Sequence, residues 1–219
     1  MEIEHPYSLG ARWIHTMLAA PLENHWINIA EGKVESISKK PVHVSTKHLG
    51  ERSEILPAGI NAHAHLELSQ LESPLDIPSR AMSDWIAALL AFRRSAHYDA
   101  TQGIRQALCR PELLESTVVV ADIVPPTLTE SQFNICDSVS KTLPIKYFSF
   151  AELIAWQSDT AKKIAFPSNV FGLSPHAPHT VCPTLLERTI DQKLPIAMHL
   201  AETLEELQLL RHHRALYSK

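Results

Sequence analysis

The pattern of hydrophobic and polar positions divides the chain into two stretches with different periodicity. The first 55 residues contain short β-like runs, at 12–17, 26–30 and 33–37. Glu31-Gly32 separates the last two runs and is a turn signal. From residue 57 onward, apolar strand candidates alternate with amphipathic helix candidates. The first stretch predicts a small sheet, and the second predicts successive β/α units.

The second stretch contains five strand candidates, at 55–62, 118–124, 145–150, 170–174 and 195–199. Helix candidates separate them. Segment 83–96 has four large apolar residues at helical spacing, Trp85, Ile86, Leu89 and Leu90. Capping boxes begin at Thr129 and Thr203, and Pro183 suits the first turn of a helix. Because parallel neighbours need crossover connections, this alternation predicts an α/β fold with a parallel sheet.

The composition excludes several classes of protein. The chain has 219 residues, 45% of them apolar, and its 20 Lys+Arg against 24 Asp+Glu give a net charge of -4. That balance argues against disorder and against a nucleic-acid partner. No signal peptide and no membrane-length apolar run are visible, and the 3 cysteines lie far apart without a CxxC pair. We expect a soluble cytoplasmic protein with reduced thiols and no membrane partner; its oligomeric state stays open.

The count of 13 histidines prompts a search for a metal site built on imidazole. His63 and His65 end the first apolar strand candidate, and residues i and i+2 of a strand point to one face. Two neighbouring imidazoles at that end of a parallel sheet can ligate one divalent metal. The alternative is a His-x-His pair that occurs by chance.

A second segment, 195–203, ends an apolar strand candidate in His199 and places Glu202 just before a helix cap. His199 would supply a third metal ligand from another strand, and Glu202 would shuttle a proton to a substrate nitrogen. The alternative is a His bonded to a loop, followed by a Glu that the helix dipole favours.

A third segment, 171–180, holds His176 in a loop between Pro175 and Pro178. A rigid loop histidine at this end of the sheet suits substrate binding or stabilisation of developing charge. An ordinary proline-bracketed turn is the alternative.

The three segments together, in this order, resemble the amidohydrolase superfamily, nearest its deaminase and chlorohydrolase-like branch: LPAGINAHAHLELS, FGLSPHAPHTVCPTLL and PIAMHLAETLEELQLL. The resemblance implies a TIM-type (β/α)8 barrel with a small N-terminal β domain. It implies a divalent metal, zinc or alternatively iron, bound by His63, His65 and His199. It also implies that Glu202 is the catalytic proton shuttle and that His176 and Glu67 bind substrate.

The chain also departs from this family. The family's barrel has eight strands and takes a further His and an Asp from its sixth and eighth strands, whereas only five strand candidates are present here. His179 stands where Tyr is usual, and the resemblance ends near residue 211, before His212-His213, which we expect to be solvated. We therefore expect a small β portion over 1–55 and an incomplete, C-terminally truncated barrel over 56–219.

The activity that the resemblance implies is hydrolysis of a C–N bond, of the deaminase type. A metal-activated water would attack an sp2 carbon bearing an amine, in a small-molecule amine or N-heterocycle. One alternative is a non-catalytic truncated remnant with weak metal binding. Another is a binding or structural protein whose histidines are incidental. Metal content distinguishes the last reading from the other two, and turnover distinguishes the enzyme from the remnant.

Overall fold

The structure is a computed structural model that describes residues 5–77, 81–128 and 130–212. It divides into two compact units, Met1–Ala58 and Gly59–Lys219. Thr129, which the sequence predicts as a helix cap, lies outside the described residues, as do His213 and the side chain of His212. No helix in the described part of the chain is long and apolar enough to cross a membrane.

The first unit contains one five-stranded sheet, with strands β1 Tyr7–Ile14, β2 Leu22–Ala30, β3 Lys33–Ser38, β4 Ser45–His48 and β5 Glu54–Ile55. Its order is β3-β2-β1-β4, and β5 also pairs with β1. β1, β2 and β3 are antiparallel neighbours, whereas β4 and β5 run parallel to β1. The predicted turn between β2 and β3 is confirmed, since Glu31 and Gly32 both have positive φ angles, of 52° and 69°.

The prediction of a first strand at 12–17 is corrected, because β1 begins earlier and ends at Ile14. The first half of β1 lacks the apolar alternation that is typical of a strand, because its two buried positions are Ser8 and Gly10. Ser8 is buried and donates a 2.7 Å hydrogen bond to the buried Asn28 side chain. Gly10 lies so close to Trp26 that an added Cβ would come within 2.9 Å of the indole ring. A small residue and a satisfied polar pair therefore replace the apolar alternation here.

The second unit contains a parallel sheet of four strands, β6 Gly59–Ala64, β7 Thr117–Val124, β8 Lys146–Leu153 and β9 Gly172–Pro175. They lie side by side in chain order. The prediction of a strand at 55–62 is corrected, because Ile55 belongs to β5 and β6 begins only at Gly59. Pro57 lies in the break, where it removes a backbone donor and restricts the residue before it.

The predicted fifth strand, 195–199, runs parallel to β9 without forming a regular strand. Leu173 N donates to Pro195 O at 2.9 Å, and Ala197 N donates to Leu173 O at 3.1 Å. Only one bridge, between Leu173 and Ile196, has strand geometry. Pro195 cannot donate a ladder hydrogen bond, which limits the pairing to these few contacts. The predicted position of segment 195–199 beside β9 is confirmed, whereas the prediction that it forms a regular strand is corrected.

Seven helices are described, namely α1 Met82–Arg93, α2 Ala100–Leu108, α3 Pro111–Ser116, α4 Glu130–Ser140, α5 Ser158–Lys163, α6 Pro183–Asp191 and α7 Leu204–His212. A 3₁₀ helix, Leu66–Gln70, follows β6. The predictions of α1, α4, α6 and α7 are confirmed, and α2, α3 and α5 were not predicted. α2 is capped by the Asp99 side chain, which accepts a hydrogen bond from Gln102 N.

The main hydrophobic core joins the parallel sheet to α2, α4 and α6. It contains fully buried residues from both layers, including Ile104, Leu108, Val120, Val124, Leu173 and Leu185. The three cysteines are free thiols, as predicted, with Cys109 exposed and Cys136 and Cys182 buried. This packing fixes the strands whose carboxyl ends form the site.

Candidate metal centre

Three imidazoles converge at the carboxyl ends of the parallel strands. His63 lies in β6, His65 follows that strand directly, and His199 ends the segment beside β9. The Nε2 atom of His199 lies 3.0 Å from that of His63 and 3.1 Å from that of His65, and the latter two are 3.3 Å apart. The structure therefore brings together the three residues that the sequence proposed as metal ligands. We call them the histidine triad.

The spacing of the histidine triad fits a divalent metal. A tetrahedral ion with bonds of about 2.0–2.1 Å to nitrogen would place its ligand atoms about 3.3 Å apart. Three imidazole nitrogens that face one another at 3.0–3.3 Å cannot all be paired by ordinary hydrogen bonds, because a neutral imidazole has one donor and one acceptor. A cation at the centre would satisfy all three lone pairs.

The orientation of His199 is fixed by the backbone of a neighbouring loop. His199 N donates to the carbonyl of His176 at 2.8 Å, and the Nδ1–H of the His199 ring donates to the same oxygen at 3.0 Å. A proton on Nδ1 leaves Nε2 with the lone pair that a metal needs. His65 lacks such support, since its buried Nδ1 has no hydrogen-bond partner among the described residues.

Burial and mutual repulsion keep the rings of His63 and His65 neutral. Burial lowers the pKa of His65 to about 3, with further lowering by His199 and His63. Burial and His199 also lower the pKa of His63, although Glu202 opposes this shift. Neutral imidazole is the form that binds a metal, so the site needs no proton release from these two rings near neutral pH.

Glu202 follows the histidine triad after a strained turn. Ala201 has a φ of 59°, a left-handed conformation that is uncommon for alanine. This turn leads the chain to Glu202, whose N–H donates to the Glu206 carboxylate at 2.8 Å. Glu202 is exposed and lines the cavity next to the triad. Its role as a proton shuttle stays a prediction.

A cavity of about 450 Å³ opens beside the triad, which forms part of its wall. The apolar residues of α1 also line it, namely Trp85, Ile86, Leu89 and Leu90. The sequence correctly predicts these residues on one helical face. In the structure that face borders the cavity as well as the protein interior, so the cavity has one apolar wall that suits the flat faces of a heterocycle.

His176 also lines the cavity, as its predicted substrate-binding role requires. Its Nδ1 lies 2.8 Å from Thr180 Oγ1, and its Nε2 lies 3.9 Å from Glu152 Oε1. Burial lowers the pKa of His176 to about 4, with further lowering by His199. The ring is therefore neutral near pH 7.

Glu67, the other predicted substrate-binding residue, has no direct access to the cavity. Its side chain is fully buried and pairs with Arg93 on α1. Burial raises the pKa of Glu67 to about 7 despite the nearby guanidinium of Arg93. Arg93 itself lines the cavity. The ion pair with Glu67 therefore fixes the position of a guanidinium group in the cavity wall. Direct contact between Glu67 and a substrate stays a prediction.

Sequence reasoning missed two charged residues of the cavity wall, Glu152 and Arg93. Glu152 lies near the carboxyl end of β8, the position that revealed His199, so the same rule could have identified it. Burial raises the pKa of Glu152, and Arg93 opposes the shift. Arg93 ends α1 and had no comparable signal in the sequence.

Comparison with known proteins gives relatives in sequence and in fold. No family model matches the chain. A 5-methylthioadenosine/S-adenosylhomocysteine deaminase from Halalkalibacterium halodurans is 24% identical over an alignment of 227 positions, which covers 90% of this chain and 49% of that protein. The chain thus spans about half the length of this relative.

Two solved structures share the fold. Guanine deaminase from C. acetobutylicum matches with a TM-score of 0.61 and 14% identity, over 95% of this chain and 56% of that one. N-isopropylammelide isopropylaminohydrolase from Burkholderia multivorans matches with a TM-score of 0.58 and 16% identity, over 90% and 53%. The comparisons confirm the resemblance of this chain to deaminases and hydrolases of the amidohydrolase superfamily.

Proposed function

We propose that this chain is part of a metal-dependent hydrolase of C–N bonds, of the deaminase or aminohydrolase type. Its substrate is a small-molecule amine or N-heterocycle, and its metal is zinc, with iron as the alternative. The observation that carries the proposal is the convergence of the three Nε2 atoms of the histidine triad within 3.0–3.3 Å. The deaminase relative supports the reaction class.

The architecture that we propose is an incomplete TIM-type (β/α)8 barrel preceded by a small β domain. Its support is the parallel order β6-β7-β8-β9, continued by segment 195–199. This chain covers only 53% and 56% of the two solved structures that match it. We further propose that the complete enzyme obtains the remaining catalytic groups from polypeptide beyond these 219 residues.

The mechanism assigns distinct tasks to the residues of the site. His63, His65 and His199 would hold the metal, which would supply Lewis acidity and lower the pKa of a water molecule toward about 7. The carbonyl of His176 holds the His199 ring in the required tautomer. Glu202 would take a proton from the attacking water and give it to the leaving nitrogen, so that the product departs as a neutral amine or ammonia. The apolar face of α1 excludes water from one side of the substrate.

Zinc titration of the purified chain tests the metal site. We expect one equivalent of zinc per chain, because three neutral imidazoles suffice to hold the ion. The double substitution His63→Ala/His65→Ala should abolish binding. His97→Ala, which changes an exposed histidine outside the triad, is the matched control and should bind like the unaltered chain. Binding of one zinc equivalent that the double substitution leaves unchanged would refute the proposed metal site.

Ammonia release from purine, pyrimidine and triazine amines tests the reaction. Among the described residues, no Asp carboxylate joins the triad as a base. Loss of one catalytic group commonly costs about 10³–10⁶ in rate. We therefore expect no release by the 219 residues alone above that of the double variant. Clear zinc-dependent release by this chain would mean that its own residues suffice.

The whole protein can be tested in the state in which the cell makes it. A tag at residue 1 would purify the chain from its source with any continuation or partner attached. We expect zinc-dependent ammonia release from that material. Bound zinc without release from any substrate in the panel would instead favour the non-catalytic remnant.

A further inference from the structure

One peptide group of the loop at 176–180 orients the ring of His199. His199 N donates to the carbonyl oxygen of His176 at 2.8 Å, and the Nδ1–H of the His199 ring donates to the same oxygen at 3.0 Å. That carbonyl belongs to the peptide group between His176 and Ala177. Its direction therefore decides where the Nε2 atom of His199 points, which is toward the other two rings of the histidine triad.

The Thr180 side chain holds the opposite side of this peptide group. Ala177 N donates to Thr180 Oγ1 at 3.1 Å. Because a trans peptide group is planar, its N–H and its C=O point in opposite directions and can only turn together. The hydrogen bond that fixes the N–H of Ala177 therefore also fixes the C=O of His176.

The Thr180 hydroxyl is itself held in place. Oγ1 lies 3.1 Å from Ala177 O and 2.8 Å from His176 Nδ1, and its single proton serves one of these two contacts. The backbone of Thr180 donates to Ala177 O at 2.9 Å and accepts from Ala155 N at 3.1 Å. Thr180 is 9% exposed and Ala177 is fully buried. Loss of the hydroxyl would therefore leave a buried N–H without its acceptor, which is costly.

We propose that Thr180 is a positioning residue for the metal centre. Its hydroxyl fixes the peptide group between His176 and Ala177, and that peptide group fixes the ring of His199. This inference rests on the metal site proposed above and adds a residue that lies outside the histidine triad. Groups that orient a metal ligand commonly contribute about 10–100-fold to the affinity for the metal.

The alternative is a purely structural role, in which the hydroxyl stabilises the loop and leaves His199 unaffected. Another buried threonine allows the two roles to be separated. Thr189 is fully buried, and its Oγ1 donates to Leu185 O at 2.8 Å within α6. Removal of either hydroxyl costs a buried hydrogen bond, but only that of Thr180 is bonded to the peptide group that orients His199.

The zinc affinity of the full chain, measured without substrate by competition with a chromophoric chelator, tests the proposal. Thr180→Val keeps the shape of the side chain without its hydroxyl, and we expect it to bind zinc about tenfold more weakly. Thr180→Ser restores the hydroxyl and should bind like the unaltered chain. Thr189→Val is the matched control and should also retain the affinity. If Thr180→Val does not fold, Thr180→Ala takes its place.

Nuclear magnetic resonance of isotope-labelled histidine in the metal-free chain observes the His199 ring itself. Nitrogen chemical shifts distinguish the Nδ1–H form of imidazole from the Nε2–H form, and the signal that His199→Gln removes belongs to His199. We expect the Nδ1–H form in the unaltered chain at about pH 8, where an ordinary imidazole is neutral. In Thr180→Val we expect a mixture of the two forms, whereas Thr189→Val should keep the first.

Three results would overturn the proposal: zinc affinity that Thr180→Val leaves unchanged, equal weakening by Thr189→Val, or failure of Thr180→Ser to restore binding. A chain that binds zinc in the expected order but releases no ammonia would lose the hydrolase function, while the role of Thr180 stands. If the chain binds no zinc, the proposed metal site fails. A His199 ring that stays in the Nδ1–H form in Thr180→Val would then refute the role of Thr180 as well.

Discussion

At the scale of single residues, the backbone conformation of Ala201 determines the direction of the chain at the candidate site. Its left-handed backbone, with φ of 59°, makes the turn between His199 and Glu202. A β-branched side chain is poorly tolerated in that conformation. We expect Ala201→Val to lower the free energy of unfolding by about 1–2 kcal/mol, measured by urea denaturation. Ala201→Gly, which relieves the strain, should stay within about 1 kcal/mol of the unaltered chain.

Asp122 gives the stability of the chain a pH dependence. It is fully buried, where it accepts hydrogen bonds from Leu66 N at 2.8 Å and from the Tyr147 hydroxyl at 2.9 Å. Burial nevertheless raises the pKa of Asp122 to about 7. The unfolded chain loses this proton near pH 4, about 3 units lower. Between these values the folded state holds more protons, so the stability due to Asp122 falls as pH rises from about 4 to 7.

The substitution Asp122→Asn should remove this dependence. Urea denaturation of both proteins across that range, without metal, isolates Asp122 as the difference between their free energies of unfolding. We expect the unaltered chain to lose stability relative to the Asn variant as pH rises, by at most about 1.4 kcal/mol per pH unit. A constant difference between pH 4 and 7 would show that Asp122 titrates alike in both states.

At the level of elements, the first turn of α7 forms hydrogen bonds with the segment that contains Glu202. Glu206 N donates to Thr203 Oγ1 at 3.1 Å, as the predicted capping box requires. The Glu206 carboxylate departs from that pattern, because it accepts from Glu202 N instead of from Thr203 N. The cap thus also holds the backbone of the proposed proton shuttle.

Thr203→Ala should lower the free energy of unfolding by about 1 kcal/mol, because the helix loses its side-chain cap. Thr203→Ser keeps the hydroxyl and should retain most of the stability. Thermal denaturation of the three proteins, followed by circular dichroism, measures the effect. Equal stability of the Ala and Ser variants would contradict a capping role.

The elements that the sequence predicted are those whose apolar period is complete. β7, β8 and α1 carry uninterrupted patterns and were found with small errors at their ends. The first half of β1 was missed, because its buried Ser8 depends on a partner 20 positions away. α2 was missed although its buried residues follow the helical spacing, so the same periodicity could have identified it: Ala100, Gly103, Ile104, Ala107 and Leu108.

The triad was predictable because its histidines end strand candidates, and parallel strands bring such ends together. Glu152 obeys the same rule but was overlooked. Arg93 and the burial of Glu67 were not predictable, since they depend on how α1 lies over the strand ends. Local patterns do not specify contacts between side chains 26 positions apart, as these two are.

At the scale of the whole molecule, the histidine triad can form only when the second unit is assembled. His63 and His199 are 136 positions apart and come from its first and last sheet segments. Metal ligation therefore requires all four strands and segment 195–199 to be in place. Because ions bind the assembled site and not the unfolded chain, metal binding should stabilise this arrangement as a unit.

X-ray absorption at the zinc edge of the zinc-loaded 219-residue chain tests whether the histidine triad binds the metal. The measurement counts ligands and their distances without depending on turnover. We expect three imidazole nitrogens at about 2.0–2.1 Å from the zinc, with any remaining ligand a light atom. His199→Ala should reduce the imidazole count by one. Sulfur in the coordination shell, or an imidazole count that stays the same without His199, would contradict the account.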